Sequence, residues 1–147
     1  MVDIYLTDLK LKDENLSQKY LGAKNYFKKA TEVIFEMINQ QPKVVIENNV
    51  MKKGVIIRHL VMPNLTQESI EILNYINKNF KGILVSLMSQ FTPNDNCKNY
   101  PEINRKLKPL EYKKVLLKAQ DLKLNGFMQD ISSATKSEIP NFDLEGV

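Results

Sequence analysis

Asp8, Lys10, Arg58, His59, Ser89 and Gln90 are the residues whose types and placement lend themselves to chemistry. Asp8 and Lys10 close a strand-like run from Val2 to Lys10, and Arg58 and His59 fall late in the apolar run Gly54 to Pro63. Ser89 and Gln90 follow directly on Ile83 to Met88. Open parallel sheets and α/β barrels bind ligands at the carboxyl ends of their strands, so aligning these runs would gather the six residues on one rim. There a carboxylate accepts from a ribose hydroxyl or an amine, lysine and arginine hold a carboxylate, and glutamine reads an adenine-like edge. Such a rim suits a small zwitterionic or nucleoside ligand better than a hydrolytic mechanism. The alternative for a lone His and a lone Arg near a strand end is a structural role, satisfied by backbone or by a carboxylate.

Arg58 and Arg105 are the only arginines in a chain that otherwise uses lysine for positive charge, and a planar fork is what bidentate recognition needs. Arg105 lies in an irregular stretch, where it either binds a ligand or ties the loop down. A dyad of Asp8 and His59 with Ser86 or Ser89 as nucleophile has the right residue types, but no spacing supports it. There is no Gly-rich phosphate loop, no Gly-x-Ser-x-Gly elbow and no His-x-x-x-His pair.

Composition narrows the classes further. The 147 residues fit one domain, and 43% hydrophobic with 26% charged residues is ordinary for a globular chain. The net charge of +4 comes mostly from lysines interleaved with Glu and Asp, which reads as a solvated surface rather than a nucleic-acid site. The longest apolar runs fall well short of the roughly 20 residues that cross a bilayer. With no leader-like N-terminus either, the expected location is the cytoplasm, with neither a membrane nor a nucleic acid as partner. Cys97 is the only cysteine, so an internal disulfide is excluded and a thiolate metal set has one ligand at most.

The elements that must position these residues follow from periodicity. Alternation over Val2 to Lys10 places Ile4, Leu6, Asp8 and Lys10 on one strand face. A short helix is expected from Asp13 to Tyr20, stopped by Gly22. A longer one is marked by Ala23, Tyr26, Phe27, Ala30, Val33, Ile34, Met37 and Ile38. Val44 to Met51 reads as a small hairpin turning at Glu47-Asn48-Asn49, inserted before the central strand. Leu65, Ser69, Ile72, Leu73, Ile76 and Phe80 form the next helical stripe, and Ile83 to Met88 the next buried strand. The irregular stretch from Ser89 to Leu107 is longer than compact α/β units usually need, and such loops tend to be functional. Pro109 opens a last helix, whose buried stripe is Tyr112, Val115, Leu116, Ala119 and Leu122; Phe127 to Asp130 is a short strand and the tail with Pro140 is irregular. The expected class is therefore α/β, with three to four parallel strands alternating with helices as part of an incomplete (βα)6 barrel. Starting directly on a strand, the chain reads as the later part of a larger unit.

Six segments, in order, carry a resemblance. They are Asp8-Leu9-Lys10, Asn25-Tyr26-Phe27, Arg58-His59-Leu60-Val61-Met62-Pro63, Ser86-Leu87-Met88-Ser89-Gln90-Phe91-Thr92-Pro93, Tyr100-Pro101-Glu102-Ile103-Asn104-Arg105 and Asn125-Gly126-Phe127-Met128-Gln129-Asp130. Together, with the ending Asp143-Leu144-Glu145-Gly146-Val147, the chain resembles the C-terminal half of radical S-adenosylmethionine proteins related to the pyruvate formate-lyase activating enzyme. The resemblance implies that Asp8 and Lys10 contact S-adenosylmethionine and that Arg58 is the charged residue of the next motif strand. It implies lesser roles for His59 and Gln90. It also implies a [4Fe–4S] cluster in the parent family, held by a Cys-x-x-x-Cys-x-x-Cys loop that this chain lacks, as it lacks the family's Gly-Gly-Glu segment. No metal ligand is expected here, and the polypeptide alone should not assemble the cluster.

The implied function is that of a C-terminal fragment of such an activase-like protein. It would contribute part of the S-adenosylmethionine site and be catalytic only when a cluster-bearing segment completes it. The expected partners are that missing N-terminal half, or a second copy through the open sheet edge, and a glycyl radical enzyme as target. The alternative is a non-enzymatic remnant or interaction module with an exposed sheet edge.

Overall fold

The computed structural model describes residues 3–128. β1 (Ile4–Asp8) leads through α1 (Glu14–Leu21) and α2 (Tyr26–Gln40) to a hairpin of β2 (Val45–Glu47) and β3 (Val50–Leu60). α3 (Thr66–Asn79), β4 (Leu84–Met88), a 3₁₀ turn at Asp95–Asn99, α4 (Pro109–Asp121) and β5 (Gly126–Met128) complete the order. Local chemistry sets these bounds. Asp13 caps α1 by accepting from the Leu16 N–H at 3.0 Å, and Gly22 ends it in the left-handed conformation at φ 65°. In α4, Pro109 takes the first position and Glu111 reaches back to the Lys108 N–H at 2.9 Å.

The expected parallel part-barrel is corrected by this sheet, which is mixed and open. Its path is β1-β3-β4-β5, with β2 attached to β3 alone. β1, β4 and β5 run parallel to their neighbours, whereas β2 is antiparallel to β3. The reason lies at Asn48 and Asn49, whose φ values of 55° and 64° make the tight turn of a two-residue hairpin. The hairpin is not a separate insertion, because its second arm continues into the central strand as one 11-residue β3. Val50 to Lys53 pairs with β2, and Gly54 onward pairs with β1. Among the described residues β1 and β5 are the two edges and do not meet, so nothing closes. Gly126, at φ 155°, lets β5 approach β4 closely: a Cβ there would fall 1.8 Å from the Val85 carbonyl oxygen. The expected strand residues Gln129 and Asp130, and the tail with Pro140, lie outside the described residues.

One face of the sheet carries the core. Leu9, Val55, Ile57, Val61, Val85 and Leu87 are buried against Ile34 of α2, Ile72, Leu73 and Ile76 of α3, and Tyr112, Val115 and Ala119 of α4. Connections that step the same way along a sheet with the same hand place their helices on the same side, and α2, α3 and α4 do so. The opposite face is left largely uncovered: Ile4 and Leu6 are 38% and 54% exposed, and Ile56, Leu60 and Met88 are half-buried. A second, smaller apolar cluster of Leu11, Leu65, Cys97 and Ile103 sits beyond the strand ends, with Leu16, Tyr20 and Tyr100 packed on it.

Candidate functional site

Register decides what the open face presents. Asp8 is opposite Arg58, and Arg58 is opposite Ser86, so three strands contribute one polar row across the sheet. Arg58 Nε donates to Asp8 Oδ1 at 2.6 Å, with the two side chains 41% and 35% exposed. One step further along, Leu60 is opposite Met88 and begins an apolar row.

The turn leaving β1 holds Lys10 beside this row. The Leu9 N–H donates to the Arg58 carbonyl at 3.0 Å, which prolongs the β1–β3 ladder by one bond. Tyr26, from the first turn of α2, accepts from the Lys10 N–H at 3.0 Å and donates to the Asp8 carbonyl at 3.4 Å. Burial raises the pKa of the Tyr26 phenol, so it stays protonated and keeps that donor. Further on, both Lys12 and Asp13 N–H groups donate to Glu68 Oε2, at 2.7 and 2.9 Å. The Lys10 ammonium itself makes no hydrogen bond or ion pair among the described residues.

His59 lies elsewhere. Consecutive strand residues point to opposite faces, so Arg58 belongs to the open face and His59 to the core, where it is 2% exposed. Its Nδ1 is 2.8 Å from the Leu9 carbonyl oxygen, which can only accept, so Nδ1 carries the proton and donates. Nε2 then accepts from the Ser69 hydroxyl at 2.7 Å. Burial pushes the His59 pKa below the ordinary histidine value and keeps the ring neutral. Asp8, His59 and Ser86 therefore do not assemble as a dyad with a nucleophile; His59 instead fixes the strand exit that carries Lys10. Gln90 is exposed beyond β4 and lines neither of the cavities described below.

A cavity of about 550 Å³ opens at the carboxyl ends of β1 and β3, bounded by Lys10, Leu60, Met62, Phe91, Tyr100 and Ile103 among others. Its roof is the segment 89–108, which three elements clamp. Tyr20 of α1 donates to Glu102 Oε2 at 2.5 Å, and Lys19 Nζ is 3.0 Å from the same oxygen. The Tyr20 hydrogen bond, a backbone donor and Lys19 hold Glu102 at a pKa of about 2. Tyr20 meets Tyr100 edge-to-face at 5.2 Å between ring centres. Asn64, in the turn before α3, donates its side-chain amide to the Glu102 carbonyl and its N–H to Glu111 Oε2 at 2.8 Å. Arg105 grips Glu111 with two bonds of 2.8 and 3.0 Å, so it ties the loop to α4. That grip, aided by the Asn64 and Lys108 N–H groups, lowers the Glu111 pKa to about 2. A second hollow, of about 620 Å³, runs beside edge strand β1 and α2, where Lys10, Lys24 and Lys29 surround Thr7 and Val33.

Sequence reasoning did not reach Ser86 as a member of the polar row, nor Tyr20, Met62 and Phe91 as cavity walls. The length of the loop after β4 was the signal available for the last of these. Among the described residues no cluster of three or more His, Cys, Asp or Glu side chains is placed to hold a metal ion. Nor is any helix among them long and apolar enough to cross a membrane.

Comparison with known proteins adds one relative. An uncharacterized protein of Methanocaldococcus jannaschii is 34% identical over 128 residues, which are 85% of this chain and 33% of that protein. The chain thus spans about a third of the length of the curated relative it matches. No family model and no solved structure matches it.

Proposed function

We propose that this chain is the C-terminal portion of a radical S-adenosylmethionine protein similar to the pyruvate formate-lyase activating enzyme, supplying part of the cofactor site. The observation that carries the reading is the in-register row Asp8, Arg58, Ser86 on an uncovered sheet face, adjoining a cavity rimmed by Lys10. S-adenosylmethionine has a ribose, an amino acid end and an adenine, and the residues present suit the first two. Asp8 accepts from ribose hydroxyls or the amine, and Lys10, whose ammonium has no other partner among the described residues, holds the carboxylate. Arg58 orients Asp8 through their 2.6 Å bond. The cofactor supplies radical chemistry when it is bound and reduced; this chain's share is to bind and orient it.

The iron–sulfur cluster does not fit these residues. Cys97 is the one cysteine, buried in the apolar cluster beyond the strand ends, so any cluster belongs to another segment of polypeptide. That a relative with a matching third continues well beyond the match supports a reading in which more chain takes part. A cytoplasmic setting, where a lone thiol stays reduced, belongs to the same reading. So does a glycyl radical enzyme as the target.

The test is to read the coding sequence adjoining this frame for Cys-x-x-x-Cys-x-x-Cys, co-produce that segment with the chain, and measure S-adenosylmethionine binding to the pair. Saturable binding lost in Asp8→Asn supports the assignment. Absence of such a segment, or of binding with it present, refutes it. The uncovered face of β1, with Ile4 and Leu6 exposed, favours one second reading, an interaction module without catalysis. That reading predicts a stable complex with a partner and no affinity for the cofactor.

A further inference from the structure

The cavity beyond the strand ends has a wall chemistry different from that of the polar row beside it. Leu60, Met62, Phe91 and Ile103 belong to its apolar lining, as does the edge-to-face pair Tyr20 and Tyr100, and Lys10, Lys19, Asn94, Asp95 and Asn99 supply its polar lining. Of the charges on the wall, Lys19 is paired and Asp95 stands almost wholly in solvent. Lys19 is 3.0 Å from Glu102, whose carboxylate also takes the Tyr20 hydroxyl, and Asp95 is 3.6 Å from Lys98. Lys10 remains, and the reading above gives it to the carboxylate of the cofactor; the inference rests on that reading in this respect only. A ligand entering beyond Lys10 meets aromatic edges, aliphatic groups and a methionine thioether together with the Asn94 and Asn99 amides, and Asp95, the one acidic side chain on the lining, keeps its own hydration at the solvent. A charged group placed against the apolar part of the wall would lose hydration that those side chains do not replace.

We infer that this cavity binds the uncharged aromatic or branched aliphatic group of a second ligand, next to the polar row. The volume of about 550 Å³ lies within the range of small-molecule sites and admits a two-ring system. The clamps at Glu102 and Arg105 hold the roof in place before the ligand arrives, so little ordering accompanies binding.

Cys97 gives the means of testing this, because it lines the cavity and is the only cysteine. Its alkylation by iodoacetamide is followed by mass spectrometry in the presence of 1-naphthalenemethanol, 1-naphthoate or 1-naphthylmethylamine, which share one body and differ in charge. The neutral compound should protect Cys97 in a saturable way and bind at least about tenfold tighter than the amine, and, in Lys10→Met, at least about tenfold tighter than the naphthoate as well. Adding S-adenosylmethionine should leave that protection in place. The inference is overturned if the amine, or the naphthoate in Lys10→Met, binds as tightly as the alcohol, if none protects, or if S-adenosylmethionine displaces the alcohol, which would make the cavity the cofactor's own. Phe91→Ala, checked for folding by circular dichroism, should weaken the alcohol by about tenfold. If the alcohol protects Cys97 while calorimetry finds no S-adenosylmethionine binding, the cavity assignment stands and the cofactor assignment falls.

Discussion

Asp8 and Arg58 face each other across two parallel strands, joined by a 2.6 Å bond on the side of the sheet that no described helix of the core covers. Both are part-exposed, so the pair does little for the fold; its placement, open and beside a cavity, is what singles it out. Asp8→Asn and Arg58→Gln should each change unfolding free energy by less than about 1 kcal/mol. Urea denaturation checks this, and a much larger loss would make the pair structural.

His59 is the opposite case. His59→Leu leaves the Leu9 carbonyl and the Ser69 hydroxyl buried without their partner, at a cost of roughly 2–4 kcal/mol in urea unfolding. A cost near zero would show that the two bonds are not formed.

The same residue makes stability depend on pH. Burial lowers the folded pKa of His59 below the ordinary value of 6.5, so the unfolded chain takes up a proton first. Stability from this group is full above that value and declines as pH falls through it, levelling off below the folded pKa. The urea midpoint should therefore be lower at pH 5.5 than at pH 8, with this part of the difference absent in His59→Gln. An equal slope in the variant would assign it to other groups.

Glu111 anchors the cavity roof, and its pKa of about 2 sets an acid limit on that anchor. Because the folded pKa is depressed, the stabilisation is present above the unfolded value of about 4.5 and is lost as pH falls from there towards 2. Glu111→Gln should cost about 1–2 kcal/mol and raise hydrogen exchange at the Asn64 and Lys108 amides, both of which donate to it. Unchanged exchange at both would contradict the clamp.

Much of this arrangement is legible in the residues, and the rest fails for identifiable reasons. Alternation along β1 put Asp8 on a face with Ile4 and Leu6, and the structure leaves that face open. The helices announced themselves through Gly22, Pro109 and their apolar stripes. Arg58 and His59 fall side by side late in the otherwise apolar run Gly54 to Pro63, which groups them on one rim, yet their adjacency in a strand separates them to opposite faces. The mixed sheet turned on Asn48 and Asn49: the hairpin was visible, but its continuity with the central strand was not. Ser86 entered the polar row only through register with Arg58, and the clamp on 89–108 is built from contacts between residues as far apart as Tyr20 and Glu102. Such non-local pairs leave no periodic trace.

Asp8 and Lys10 are the residues that this chain is proposed to supply to S-adenosylmethionine. Isothermal titration of the cofactor into the chain, alone and together with a cluster-bearing segment encoded beside it, tests this most directly. A saturable heat is expected with the segment present, with affinity reduced at least about tenfold by Asp8→Asn and by Lys10→Met. No heat in either mixture, or a heat indifferent to both substitutions, would contradict it.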